Sequence, residues 1–72
     1  GAASEGHAAV LGFLLRYTGD AFFGSALSEC TSVIQERVHG DLYFDMADWD
    51  GDHRSASEAV LRYQYPITFG VE

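Results

Sequence analysis

The sequence contains no lysine, one cysteine, one proline and only four basic side chains, the isolated Arg16, Arg37, Arg54 and Arg62. Nucleic acid and anionic membranes are bound by clustered basic surfaces, and that scarcity excludes both as electrostatic partners. A lone cysteine excludes an internal disulfide framework, because Cys30 could bridge only to another chain. No apolar run approaches the roughly 20 residues of a membrane-spanning helix. The stretch from Ala8 to Leu15 is too short and lacks a preceding basic segment, so it does not read as a signal peptide. No phosphate-cradling loop is present either, since Gly19 and Gly24 have no lysine to accompany them.

What is present is a folding composition. Of 72 residues, 47% are hydrophobic and 14% aromatic, spread along the chain, and the net charge is −7. That length allows one domain with a thin core, which usually needs a disulfide, a metal or a partner. With one cysteine, the expected staple is a second subunit. The acidic balance suits a basic partner or an acidic medium.

Ser4 to Thr18 carries Ala8, Val10, Leu11, Phe13, Leu14, Leu15 and Tyr17 and predicts a helix wet mainly at His7 and Arg16. Ser4 suits its cap, Gly19 its stop, and Asp20 the cap of the next segment. In Asp20–His39, Leu27, Cys30, Ile34 and Val38 share a helical face, although Thr31, Val33, Ile34 and Val38 favour strand. A helix from about Ser25 to His39, stopped by Gly40, is the favoured reading; a hairpin turning at His39-Gly40 competes with it.

Beyond Gly40 the period becomes two. Leu42, Phe44 and Met46 alternate with Tyr43, Asp45 and Ala47, and Leu61, Tyr63, Tyr65, Ile67, Phe69 and Val71 occupy successive odd positions. Two antiparallel strands are expected, the second an edge or a bulge at Pro66. Ser55-Ala56-Ser57-Glu58 has the capping-box form and could start a short helical turn before that strand. The expected fold class is therefore α+β: two helices on a small antiparallel sheet, a two-layer sandwich whose sheet a partner chain completes. Leu61, Tyr63, Tyr65, Ile67 and Phe69 are the expected partner-contact strand.

Asp48-Trp49-Asp50-Gly51-Asp52, after Asp45, could wrap calcium, but the EF-hand register fails: with Asp48 first, His53 falls where glycine is needed and Ala59 where the closing glutamate is needed. The segment also resembles the calcium loop of integrin-type β-propeller repeats, present here in one copy. A solvated acidic turn is the plainer reading. As a second functional reading, Asp45, Asp48, Asp50 and Asp52 form a pH-sensitive acidic cluster whose mutual repulsion favours an acid-stable, neutral-labile protein. His7, His39, His53 and Cys30 have no metal-ligand or nucleophile spacing, and Cys30 reads as a small buried apolar residue. Neither a catalytic residue nor a cofactor site is expected. Phe22-Phe23 and Trp49 read as core or partner contacts.

The start at Gly1 fits a processed product or an expression remnant, Gly1-Ala2-Ala3-Ser4, and the chain has no Lys-Arg or Arg-Arg pair. With the acidic balance and incomplete sheet, this resembles a subunit of the salt-mediated killer toxins of yeast. The resemblance rests on composition and architecture across the whole chain and carries no motif. It implies a secreted, non-enzymatic subunit of a heteromeric toxin, paired with a second chain from the same precursor, with the complex acting on the membrane of competitor cells. The alternative is a small acidic immunity or inhibitor protein binding a basic partner. Phe13–Ala21 also resembles the opening helix of nuclear-transport-factor-2-like domains, for which the chain is too short.

Overall fold

A computed structural model describes residues 2–47 and 54–70, with side chains described for 6–47 and 56–70. Four helices, α1 Ala2–Thr18, α2 Asp20–Ser28, α3 Ser32–Met46 and α4 Arg54–Gln64, account for most of the described chain. No strand occurs among the described residues. The α+β sandwich is thus corrected to an all-helical fold, and with it the sheet that a partner was to complete.

Helix α1 stops before Gly19 as expected, but it begins at Ala2, so Ser4 lies within the helix instead of capping it. Its end and the start of α2 share one residue: Gly19 donates its N–H to the Leu15 carbonyl at 2.9 Å and accepts from Phe23 N at 3.0 Å. Gly19 does this at φ 90° and ψ 161°, a region in which only glycine is comfortable. A single residue therefore turns the chain between two helices.

The expected Ser25–His39 helix is instead divided. Thr31 is the N-cap of α3, its hydroxyl accepting from Ile34 N at 3.4 Å. Gln35 reaches back across the break and donates to the carbonyls of Cys30, at 2.9 Å, and Ser28, at 3.4 Å. Carbonyls left open at the end of α2 are satisfied by a side chain of α3.

Gly40 does not stop this helix, and neither strand forms. Within α3, Val38, Leu42 and Met46 turn toward the core, whereas Phe44 is 43% exposed. The expected strand face of Leu42, Phe44 and Met46 is split because burial has a 3.6-residue period there. In α4, Ser57 and Leu61 turn inward, as does Tyr65 just beyond its end, while Tyr63 is 86% exposed. Of the odd positions, only Leu61 and Tyr65, four apart, share a helical face. Pro66 has no N–H to extend α4 and disfavours helical backbone at Tyr65, so Ile67 and Phe69 lie in a compact turn over 66–70.

The core is small: Leu15, Leu42, Ala47, Leu61 and Phe69, with Leu11, Phe23, Val38, Tyr43, Met46 and Tyr65 packed around them. The main pair is α1 on α3, with α2 against α1 and α4 against α3. Arg62 Nη1 donates to Tyr43 Oη at 3.2 Å, and the Tyr43 ring stacks on Phe69 at 4.8 Å.

The closing turn is clasped from two sides. Asp20 accepts from Ile67 N at 3.0 Å and from Thr68 N at 2.8 Å. His39 Nε2 lies 2.7 Å from the Thr68 carbonyl oxygen, with its ring tilted over Phe69. Burial pushes the Asp20 carboxyl upward, but the backbone N–H donors of Thr68 and Ile67 outweigh it and hold the pKa below the ordinary aspartate range. The turn can come this close because Gly24 has no side chain: a Cβ there would lie 2.5 Å from Ile67 Cγ2 and 2.8 Å from both Ile67 C and Thr68 N.

Candidate functional site

Helix α1 is apolar on two opposite sides. Ala8, Leu11, Gly12 and Leu15 turn inward, where Gly12 admits the Asp45 carboxylate of α3 close to its backbone. Val10, Phe13, Leu14 and Tyr17 have the i, i+3, i+4, i+7 spacing of a second face and point away from the core. Their exposures are 54%, 61%, 40% and 79%. Phe13 and Tyr17 stack on each other at 5.8 Å, so the outward face is a continuous aromatic and aliphatic surface. Scattered exposed apolar residues are ordinary, but four consecutive positions of one helical stripe are not.

Between α1 and α3 runs a groove of about 310 Å³, lined by Leu11, Ile34 and Val38 with His7, Arg37 and Asp41 beside them. A larger, open hollow of about 540 Å³ lies along α2, lined by Ala21, Phe22, Ser25, Ala26 and Glu29. Neither brings together the nucleophile, base and oxyanion donors that acyl or phosphoryl chemistry requires. No group of three or more potential metal-binding side chains occurs among the described residues.

The residues singled out from sequence are dispersed. Asp45 sits on α3 with Arg16 of α1 at 3.9 Å, an attractive contact. Asp48, Asp50 and Asp52, and with them the calcium-loop reading, lie outside the described residues, as do Trp49 and His53. Leu61 is buried in α4, Tyr63 is exposed on the same helix, and Tyr65 is half-buried just beyond it. Ile67 is exposed and Phe69 buried in the closing turn, so the five share no strand. Cys30 is exposed, not buried, between α2 and α3. Phe22 is exposed, while Phe23 packs on the core.

The outward stripe of α1 is visible in the sequence as apolar residues, which a single-faced helix would assign wholesale to the core. Its signal is an excess: residues 8–17 hold more apolar side chains than one buried face can take. No protein-family model, no curated protein and no solved structure matches the chain. No helix among the described residues is long and apolar enough to cross a membrane.

Proposed function

We propose that the chain is a non-enzymatic protein-interaction subunit that engages its partner through the outward face of α1. The observation that carries this reading is the exposure of Val10, Phe13, Leu14 and Tyr17 as one stripe on a helix whose opposite side is already buried. Aromatic side chains dominate the energy of protein interfaces and lose little rotamer freedom on binding. Among the described residues the central core cluster has five buried members, thin for an independent domain, and a covered α1 would supply more apolar burial.

The toxin-subunit expectation loses one of its supports, the sheet with free edges. A photo-crosslinking amino acid at Tyr17, with one at Glu36 on an exposed part of α3 as control, tests the assignment in the native host. Protein crosslinks are expected at position 17 and not at 36. Equal labelling at the two positions, or none at 17, would remove the proposal.

A further inference from the structure

We infer that the occupant of the outward α1 face is a second copy of this chain, docked antiparallel about a two-fold axis through Val10. This rests on the interaction reading and adds the partner's identity. Charge favours a second copy over a basic partner. From Gly6 to Thr18 the helix carries no carboxylate, and its ionisable groups other than Tyr17 are His7 and Arg16. A basic partner would be drawn to an acidic rim, and none is supplied by this stretch of α1. A neutral apolar face instead lets two chains of net charge −7 meet where they repel least.

Shape favours the antiparallel arrangement. The exposed side of α1 is graded, with Gly6 toward its start and Phe13, Leu14 and Tyr17 toward its end. In a parallel pair the large residues would oppose one another and Gly6 would face Gly6. With antiparallel helices related through Val10, position 14 meets position 6 and position 13 meets position 7. Leu14 of each copy then sits over Gly6 of the other, and Phe13 beside His7. A two-fold interface is self-complementary by construction, and this grading satisfies it with one helix, at ordinary helix-packing distance.

Area sets the strength. At roughly 200 Å² for a whole aromatic side chain, the fractional exposures of Phe13 and Tyr17 leave on the order of 280 Å² between them. Val10 and Leu14 bring the face to about 450 Å², so pairing removes at most about 900 Å² in total, below the roughly 1,000 Å² that a stable interface clears and in the range of weak, transient ones. The dimer is therefore weak and reversible.

Sedimentation equilibrium of the full chain from low micromolar to near-millimolar concentration reads the association. The wild type is expected to dimerise, and Leu14→Glu to remain monomeric with unchanged helical circular dichroism. Gly6→Leu, which fills the space Leu14 needs without removing any apolar group, should raise the dissociation constant roughly ten-fold or more. In a Cys30→Ser background, Val10→Cys should cross-link to itself under mild oxidation, and Tyr63→Cys, on the exposed side of α4, should not. A wild type that stays monomeric throughout overturns the second-copy assignment. If Tyr17 then crosslinks to a different protein in the host, the interaction reading stands with another occupant. Dimerisation that survives both Leu14→Glu and Gly6→Leu would place the contact elsewhere and overturn the inference.

Discussion

Asp20 is the side chain whose removal has the most readable consequence. Its two carboxylate oxygens take the N–H groups of Ile67 and Thr68, residues far along the chain, while the residue itself begins α2. Hydrogen bonds to a charged acceptor are stronger than neutral ones, and the backbone N–H donors of Thr68 and Ile67 favour the ionised form. Asp20→Asn keeps one acceptor oxygen and loses the charge, so a loss of about 1–2 kcal/mol in unfolding free energy is expected by urea titration. The folded pKa is held below that of the unfolded chain, and the stabilisation is complete above the ordinary aspartate range. It fades as pH falls through that range toward the depressed folded value. Melting curves of wild type and Asp20→Asn should differ near neutrality and converge in acid. This runs opposite to the acid-favoured stability expected from the aspartate cluster, and a difference that widened on acidification would contradict the assignment. Gly24→Ala tests the same junction sterically. The added methyl meets backbone atoms of Ile67 and Thr68 that cannot swing aside, and a cost of about 1–3 kcal/mol is expected.

Helix α1 is legible in the sequence because stop and apolar content agree over the same residues, although it begins at Ala2 and not at a Ser4 cap. Helices α3 and α4 are not, and the reason differs for each. In α3, Gly40 resembles a terminus, since glycine is the usual residue just past a helix end. The chain nevertheless continues through it because Val38, Leu42 and Met46 gain more from packing than one interior glycine loses. In α4, the alternation from Leu61 onward is real as a pattern, but Pro66 divides it between a helix and a turn. The capping-box signal at Ser55–Glu58 is the correct cue, and its helix is longer than the expected single turn. Passage of α3 through Gly40 makes a stabilising substitution available. A Cβ at Gly40 meets nothing within 4 Å, and the residue does not have positive φ. Gly40→Ala should therefore raise the unfolding free energy by about 0.5–1 kcal/mol, read as a higher melting temperature. A lower melting temperature would mean that α3 does not run through residue 40.

For the molecule as a whole, a radius of gyration of 11.7 Å, against about 11 Å for a packed chain of this length, shows that helices joined by very short connections still close on a common core. Closure depends on the 66–70 turn, which supplies Phe69 to that core and is clasped by Asp20 and His39. The Asp20 contacts span 47 and 48 residues, whereas the hydrogen bonds within each helix are local. Joining such distant segments carries a loop-closure entropy that local helix formation does not. The clasp therefore belongs after the folding transition state: α1 and α3 can pair before the end of the chain arrives. An interaction absent from the transition state acts on the rate of leaving the native state and not on the rate of reaching it. The pair of hydrogen bonds on Asp20 thus sets how long the folded chain persists, while the speed with which it forms is left to the helices.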